Sequence, residues 1–312
     1  MSQSIDKSGS WEIDHPVRLV QFVRSTFELS ASKSKLLIQK GHFTVNEKPQ
    51  NKPGAELASG TRVAYEPKGP TTHGPFGVRK AYIDHHLVIV DKPSGLLSAP
   101  LEGSNEPNAL GAARRFCQHG NKGPKVVHRL DKATSGLLAF GRGVESTRTL
   151  AGQLVDRTMT RTYYAVVDGT PEKSSGIIVS RLVGDAGQNR RGSLPRTLRV
   201  LPPKTRPKPE EGHGKWAATA YRVCWTRKGY SGIELSLITG RTHQIRIHMA
   251  ELGMPVCGET VYGRTRHKGR LALHAGQLIL KHPKTQQAIS FESPWPESLQ
   301  SLWSWQIMPK GD

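Results

Sequence analysis

Val127 to Gly141 reads VHRLDKATSGLLAFG, a polar loop running into an apolar strand. Leu137 to Phe140 has the length and character of a buried strand, and Ser135-Gly136 ahead of it reads as a turn. Asp131 then sits in a loop at the lip of a sheet. A carboxylate in that position is held by the backbone yet open to a ligand. Short polar side chains also stabilise turns through their own backbone, and the local sequence fits either role.

Working outward, strand-like runs dominate. They are LVIVDK from Leu87, TYYAVV from Thr162, GIIVS from Gly176, TAYRVCW from Thr219, GIELSLI from Gly232 and LHAGQLIL from Leu273. Helical segments lie between them, from Asn108 (NALGAARRFCQ), Val144 (VESTRTLAGQLVDR) and Thr242 (THQIRIHMAEL). Hairpin-like strand pairs with interspersed helices predict an α+β domain with a mostly antiparallel mixed sheet over 77–312. From Arg181 to Lys215 nine Lys or Arg stand against three acids among five prolines. That composition predicts a mobile basic loop between two strands.

The first part of the chain has a different grain. After a polar leader over 1–15, VRLVQFVRSTF from Val17 follows helical spacing. A second helix is expected, with Ser32 as N-cap and Gly41 as stop, then strands at Phe43–Val45 and Arg62–Tyr65. These make a compact unit over 16–65. EPKGPTTHGPF, residues 66–76, is a linker by composition.

Charge narrows the partner. Lys and Arg number 45 against 25 acids, a net +20 with pI near 10.1, spread over several segments rather than one tail. Such a field attracts polyanions, nucleic acid first. The leader has no apolar stretch resembling a secretory signal, and no run is long enough to span a bilayer. Cys117, Cys224 and Cys257 lie far apart without CxxC spacing, which disfavours a disulfide framework or structural zinc. Free thiols suit a reducing cytoplasm.

H-R-L-D-x-x-T-S-G-L, here His128, Arg129, Leu130, Asp131, Thr134, Ser135, Gly136 and Leu137, resembles the signature of RluA-type RNA pseudouridine synthases. LVIVDKPSGLL from Leu87 is similar to the block with the K-P-x-G turn, and Arg161-Thr-Tyr163-Tyr164-Ala165 to the K-x-Y-x-A block. LITGRTHQIRIHMAELGMPVCGETVYG from Leu237 is similar to the T-G-R-x-H-Q-I-R block and its tail. The four occur in the family's order. SASKSKLLIQKGHFTVNEKP, within 16–65, resembles the ribosomal-protein-S4-like RNA-binding domain.

The resemblance implies roles. Asp131 matches the nucleophile, Tyr163 the tyrosine that stacks on the target uracil, and Arg246 the basic residue that pairs with the catalytic carboxylate. Arg129 matches the arginine that enters the RNA where the uridine leaves. Arg241 and His243 of the T-G-R-x-H block, with Lys33, Lys35, Lys40 and Asn46 of the S4-like domain, are expected to face RNA. His128 is expected to be structural. Arg161 and Glu259 stand where the family has Lys and Asp, and neither is expected to touch a catalytic position. Of Tyr163 and Tyr164 only one can line a site, because strand neighbours point to opposite faces.

Converting uridine to pseudouridine breaks the bond from ribose to base nitrogen, turns the base and rejoins it through carbon 5. Nothing is oxidised and no group is gained or lost, so neither cofactor nor metal is expected. The expected substrate is structured RNA, ribosomal or transfer, and the expected state is a cytoplasmic monomer without membrane contact. A non-catalytic RNA-binding protein would explain the charge equally well. A zinc deaminase would need H-x-E and P-C-x-x-C, both missing, and a serine hydrolase a G-x-S-x-G elbow, also missing.

Overall fold

The computed structural model describes residues 9–39, 42–46, 48–50, 52–65, 75–104, 106–117, 123–186, 190–299 and 301–303. The N-terminal unit comprises β1 (Gly9–Glu12), β2 (Val17–Arg18), α1 (Leu19–Phe27), α2 (Ala31–Gln39), β3 (Phe43–Val45), β4 (Lys48–Pro49), β5 (Glu56–Leu57) and β6 (Arg62–Tyr65). Leu19, Val23 and Phe27 recur at helical spacing, so one face of α1 is buried. They meet Ile38, Phe43, Val63 and Tyr65 in a core of their own. The N-cap of α2 is Ser30 rather than Ser32. Ser30 Oγ accepts from the Lys33 amide at 3.3 Å, satisfying a first-turn donor as cap hydroxyls do, and Ser32 lies inside the helix. Gly41 and most of the expected linker lie outside the described residues.

The large unit runs β7 (Arg79–Ile83), β8 (Leu87–Lys92), α3 (Ala109–Phe116), β9 (Pro124–Val126), β10 (Ser135–Arg142), α4 (Gly143–Val155), β11 (Thr160–Asp168) and β12 (Ser175–Val183). It continues β13 (Gly192–Ser193), β14 (Arg199–Leu201), β15 (Lys215–Arg227), β16 (Tyr230–Leu237), α5 (Gln244–Glu251), β17 (Leu273–Lys281) and β18 (Ala288–Glu292). One sheet holds all of these strands, in the order β13-β12-β15-β16-β11-β17-β10-β8-β7 with three strands attached beside that path. Among the described strands β10 and β17 pair in parallel, and the other pairings are antiparallel. The α+β class with a mostly antiparallel mixed sheet is what the structure shows.

β8 and β10 are buried along their whole length. Alternate residues explain it. Val88, Val90, Leu138 and Phe140 enter the main core with Ala109 and Leu110 of α3. Leu87, Ile89, Leu137 and Ala139 enter a second core with Leu150 of α4. A strand covered on both faces reads as a continuous apolar run.

Ser135-Gly136 is not the turn expected from the sequence. It begins β10, and the turn lies earlier, closed by the Thr134 amide donating to the Asp131 carbonyl at 3.0 Å. Glycine is needed at 136 for two reasons. Its φ is 116°, and a Cβ there would fall 2.3 Å from the Ala275 carbonyl oxygen across the parallel pairing.

Residues 181–215 are likewise not the loop their composition predicts. β13 and β14 fold back to pair with β12, and Leu201 packs against Ile177, Val179 and Trp216. The buried Arg181 guanidinium donates to the carbonyls of Glu210, Gly212, His213 and Gly214. Scattered apolar residues and one long-range arginine outweigh the polar, Pro-rich average. Among the described residues no helix is long and apolar enough to cross a membrane.

Candidate active site

β8 ends in Lys92-Pro93-Ser94-Gly95, and this turn is the socket of the Asp131 loop. The fully buried Lys92 donates through Nζ to the carbonyls of Leu96 (2.8 Å), Pro93 (3.0 Å) and Lys132 (3.3 Å). The Gly95 amide also donates to Lys132 O, at 2.7 Å. Ser94 Oγ donates to Ala133 O at 2.6 Å. Ser98 Oγ donates to Leu130 O at 2.7 Å and accepts from the Leu130 amide at 2.9 Å. The peptides on both sides of Asp131 are therefore fixed. His128 supports β10 through Nε2, which accepts from the Ala139 amide at 3.1 Å. Burial pushes its pKa down to about 3, so the ring is neutral and can accept.

The opposite wall comes from β11 and from the loop between β16 and α5. A bulge in the pairing of β11 with β17 falls between Thr162 and Tyr163. Tyr163 lines the cleft. Tyr164 turns away, edge-on to Trp303 at 5.7 Å. The 239–241 loop is held by Gln244, whose Oε1 accepts from Thr239 Oγ1 at 2.7 Å and the Arg241 amide at 3.0 Å. Its Nε2 donates to Thr219 Oγ1 at 2.8 Å and Ala218 O at 3.0 Å. Between the two walls lies a cleft of about 560 Å³, bordered by Asp131, Tyr163, Arg161, Arg129, Arg241 and His243.

Asp131 is 22% exposed, with His243 Nε2 3.9 Å from its Oδ1. No donor among the described residues lies within hydrogen-bond distance of its carboxylate. Burial lowers the His243 pKa, against the opposing pull of the Asp131 charge, so the ring is neutral at pH 7 and forms no ion pair. Its Nδ1 lies 2.6 Å from Tyr262 Oη. Burial raises the Tyr163 pKa, and the Asp131 charge adds to the rise while Arg161 opposes it, which keeps the phenol protonated.

Arg246 departs from expectation. Its bidentate partner is Glu259, not Asp131: Nε and Nη2 donate to the two carboxylate oxygens at 2.7 Å each. The pair is buried, with side-chain exposures of 8% and 0%. Burial penalises the guanidinium, but the hydrogen bonds and charge of Glu259, and then the charge of Asp131, hold its pKa above the usual value. Arg246 also lies over the Tyr262 ring at 5.3 Å. Glu259, expected to touch no catalytic position, is the residue that fixes the Arg246 guanidinium.

A family model described as RNA pseudouridylate synthase matches residues 86–251, and one described as S4 domain matches 17–63. The chain belongs to the RNA pseudouridylate synthase family. Ribosomal large subunit pseudouridine synthase D of Nitrosomonas europaea is 37% identical over 231 residues, covering 70% of this chain and 62% of that protein. The protein of that name from Neisseria meningitidis serogroup A is 32% identical over 89% of this chain and 75% of its own length. Human RNA pseudouridylate synthase domain containing 1 superposes with a TM-score of 0.56 at 20% identity, over 75% of this chain and 91% of that one, which establishes the shared fold.

Within this pseudouridylate synthase fold Asp131, Tyr163, Arg129, Arg241 and His243 all border one cleft, and Arg246 lies in the first turn of α5, whose N-cap is His243. Arg129 and Arg241 are exposed at its mouth. In the S4 domain Lys33 and Lys35 are exposed on α2. Asn46 is partly committed, because its Oδ1 accepts from the Arg62 amide at 2.9 Å. Lys40 lies outside the described residues. Sequence reasoning missed Lys92, Ser94, Ser98, Gln244, Glu259 and Tyr262. All but Ser98 sit inside the quoted blocks, and for Lys92 the available signal was a Lys within an apolar strand run.

Proposed function

We propose that this chain isomerises uridine to pseudouridine in ribosomal RNA, with the carboxylate of Asp131 as its nucleophile. The observation that carries the reading is an ionisable carboxylate clamped by its backbone, unclaimed by any donor among the described residues, and sharing a cleft of about 560 Å³ with a buried tyrosine. A carboxylate free of hydrogen bonds keeps its lone pairs for the substrate. Extruding the target base costs a few kcal/mol, and an aromatic platform such as Tyr163 returns about 1–3 kcal/mol by stacking.

In this reading Arg129 occupies the place the uridine vacates, Arg241 and His243 border the entering nucleotide, and Arg246 stabilises negative charge from the first turn of α5. Ribosomal RNA is the substrate printed in the names of the relatives, and transfer RNA is the alternative to compare. The S4 domain over 16–65 adds a second grip on RNA through Lys33 and Lys35, and residues 77–312 carry the chemistry. Free cysteines suit a cytoplasmic monomer, which light scattering of the purified chain would check.

The test is tritium release from RNA labelled at carbon 5 of uracil, with Asp131→Asn alongside the unaltered chain. Release by the latter is expected, and Asp131→Asn should abolish it while RNA affinity stays within about threefold, because one uncharged substitution leaves the phosphate contacts intact. Substantial release by the Asn variant would remove Asp131 from the mechanism. Tight binding with no release by either would favour a non-catalytic RNA-binding protein.

A further inference from the structure

A second groove of about 550 Å³ adjoins the catalytic cleft and shares Arg129, Gly240, Arg241 and Thr242 with it. Its far side is made by the 181–215 segment, including Asp185, Arg191, His213 and Lys215. Four cationic side chains face one carboxylate there. Arg129, Arg191, Arg241 and Lys215 are all exposed, so a polyanion can reach them.

The groove is built rather than incidental. Arg181 gathers four carbonyls between Glu210 and Gly214 and so fixes the stretch leading into Lys215. On the other side Ser193 donates its amide and hydroxyl to the Glu251 carboxylate, at 2.7 and 2.5 Å. Arg190 donates to the Val261 carbonyl at 2.7 Å. These contacts tether the residues flanking Arg191 to α5 and to the Glu259 loop, the elements that hold His243 and Arg246. Burial above all lowers the pKa of His243 and raises that of Tyr262, and the charge of Arg191 reaches both groups, pulling each downward.

We infer that this groove holds the phosphodiester backbone of the RNA flanking the extruded uridine, with Arg191 and Lys215 as its phosphate ligands. The inference rests on the pseudouridine synthase reading and adds a track to it. The target base enters the cleft past Arg129, and the strand on one side of it continues over Arg241 into the basic groove. Among the described residues lining the groove there is no Phe, Tyr or Trp to stack a base, and the cationic side chains are exposed, which suits reading the backbone rather than a base. Asp185 limits the charge on one side and favours a single strand over a broad duplex face.

The experiment compares the full chain with Arg191→Gln/Lys215→Gln, using unmodified large-subunit ribosomal RNA transcribed in vitro as probe. Each phosphate contact adds about 0.7 to the slope of log affinity against log salt on single strands, so the double variant should lose about 1.4. Between 50 and 200 mM salt the unaltered chain should then lose about sevenfold more affinity than the variant. Arg191→Lys/Lys215→Arg should restore the slope. An unchanged slope in the Gln variant would overturn the groove. If the unaltered chain forms pseudouridine while that slope stays unchanged, the track fails and the enzymatic reading stands. If the slope falls but no pseudouridine forms, the track stands and the enzymatic reading fails.

Discussion

Glu259→Gln tests the arrangement that holds Arg246. Oε1 of Glu259 accepts from Arg246 Nη2 at 2.7 Å and from the amides of Val261, Thr260 and Tyr262 at 2.8, 3.0 and 3.3 Å. Oε2 accepts from Arg246 Nε at 2.7 Å. A glutamine offers one carbonyl oxygen, so its amide nitrogen must face either the guanidinium or the three backbone amides, donor against donor. The guanidinium is also left charged, buried and without its counter-ion. Breaking a buried pair in this way costs about 3–5 kcal/mol. For a domain of about 150–250 residues each kcal/mol moves Tm by about 2–4 °C, so a fall of about 6–20 °C is expected. Tritium release should drop with it at temperatures where the variant is still folded, because Arg246 lies three residues after His243, the N-cap of α5. Glu259→Asp keeps the charge and should lose less on both readings. A Tm within about 2 °C of the unaltered chain, less than one kcal/mol, together with unchanged turnover, would show that Arg246 does not depend on Glu259.

Acid should weaken the fold before the carboxylates titrate. His128 and His248 are pushed down to about 3 by burial, and His274 to about 4 by burial against the opposing charge of Asp91, while unfolded histidine titrates near 6.5. A depressed pKa gives stability that is whole above about 6.5 and lost as pH falls below it, because only the unfolded chain takes up protons there. Each histidine should cost roughly 2 kcal/mol between pH 7 and 5, and urea unfolding at pH 7, 6 and 5 that gave a flat profile would contradict their burial. Deleting residues 1–70 should weaken RNA binding and reduce its salt slope while a small stem-loop is still modified; an unchanged slope would deny the S4 domain a grip on phosphate.

The sheet was readable because β-branched and aromatic runs announce strands whatever their partners. β8, β10, β11, β12, β15, β16 and β17 all fall where the pattern places them, with ends shifted by a few residues. Strand alternation allowed only one of Tyr163 and Tyr164 to line a site, and the resemblance to the K-x-Y-x-A block chose Tyr163. The misreadings share a cause. Ser135-Gly136 looks like a turn locally, but a parallel partner more than a hundred residues later makes it a strand. Arg246 was assigned to Asp131 because the motif associates the two, whereas its partner Glu259 lies beyond the end of the helix. The 181–215 segment has the composition of a free loop, and four carbonyls gathered by Arg181 leave no trace in composition. Long-range hydrogen bonds decide these cases, and periodicity does not report them.

The junction between β10 and β17 rests on two residue pairs, Ser135 with His274 and Gly136 with Ala275. Asp131 and its socket belong to one side of that join, and Tyr163, His243, Arg246 and Glu259 to the other. The sheet thus narrows to a short parallel seam beside the candidate carboxylate, with two cores packed across it, one on each face. Side chains reinforce the seam, with Ser135 Oγ 2.9 Å from His274 Nδ1 and Gln153 Nε2 donating to the Lys281 carbonyl at 2.7 Å. A substitution in that seam would shift acid against phenol and disturb the shared cores in the same stroke.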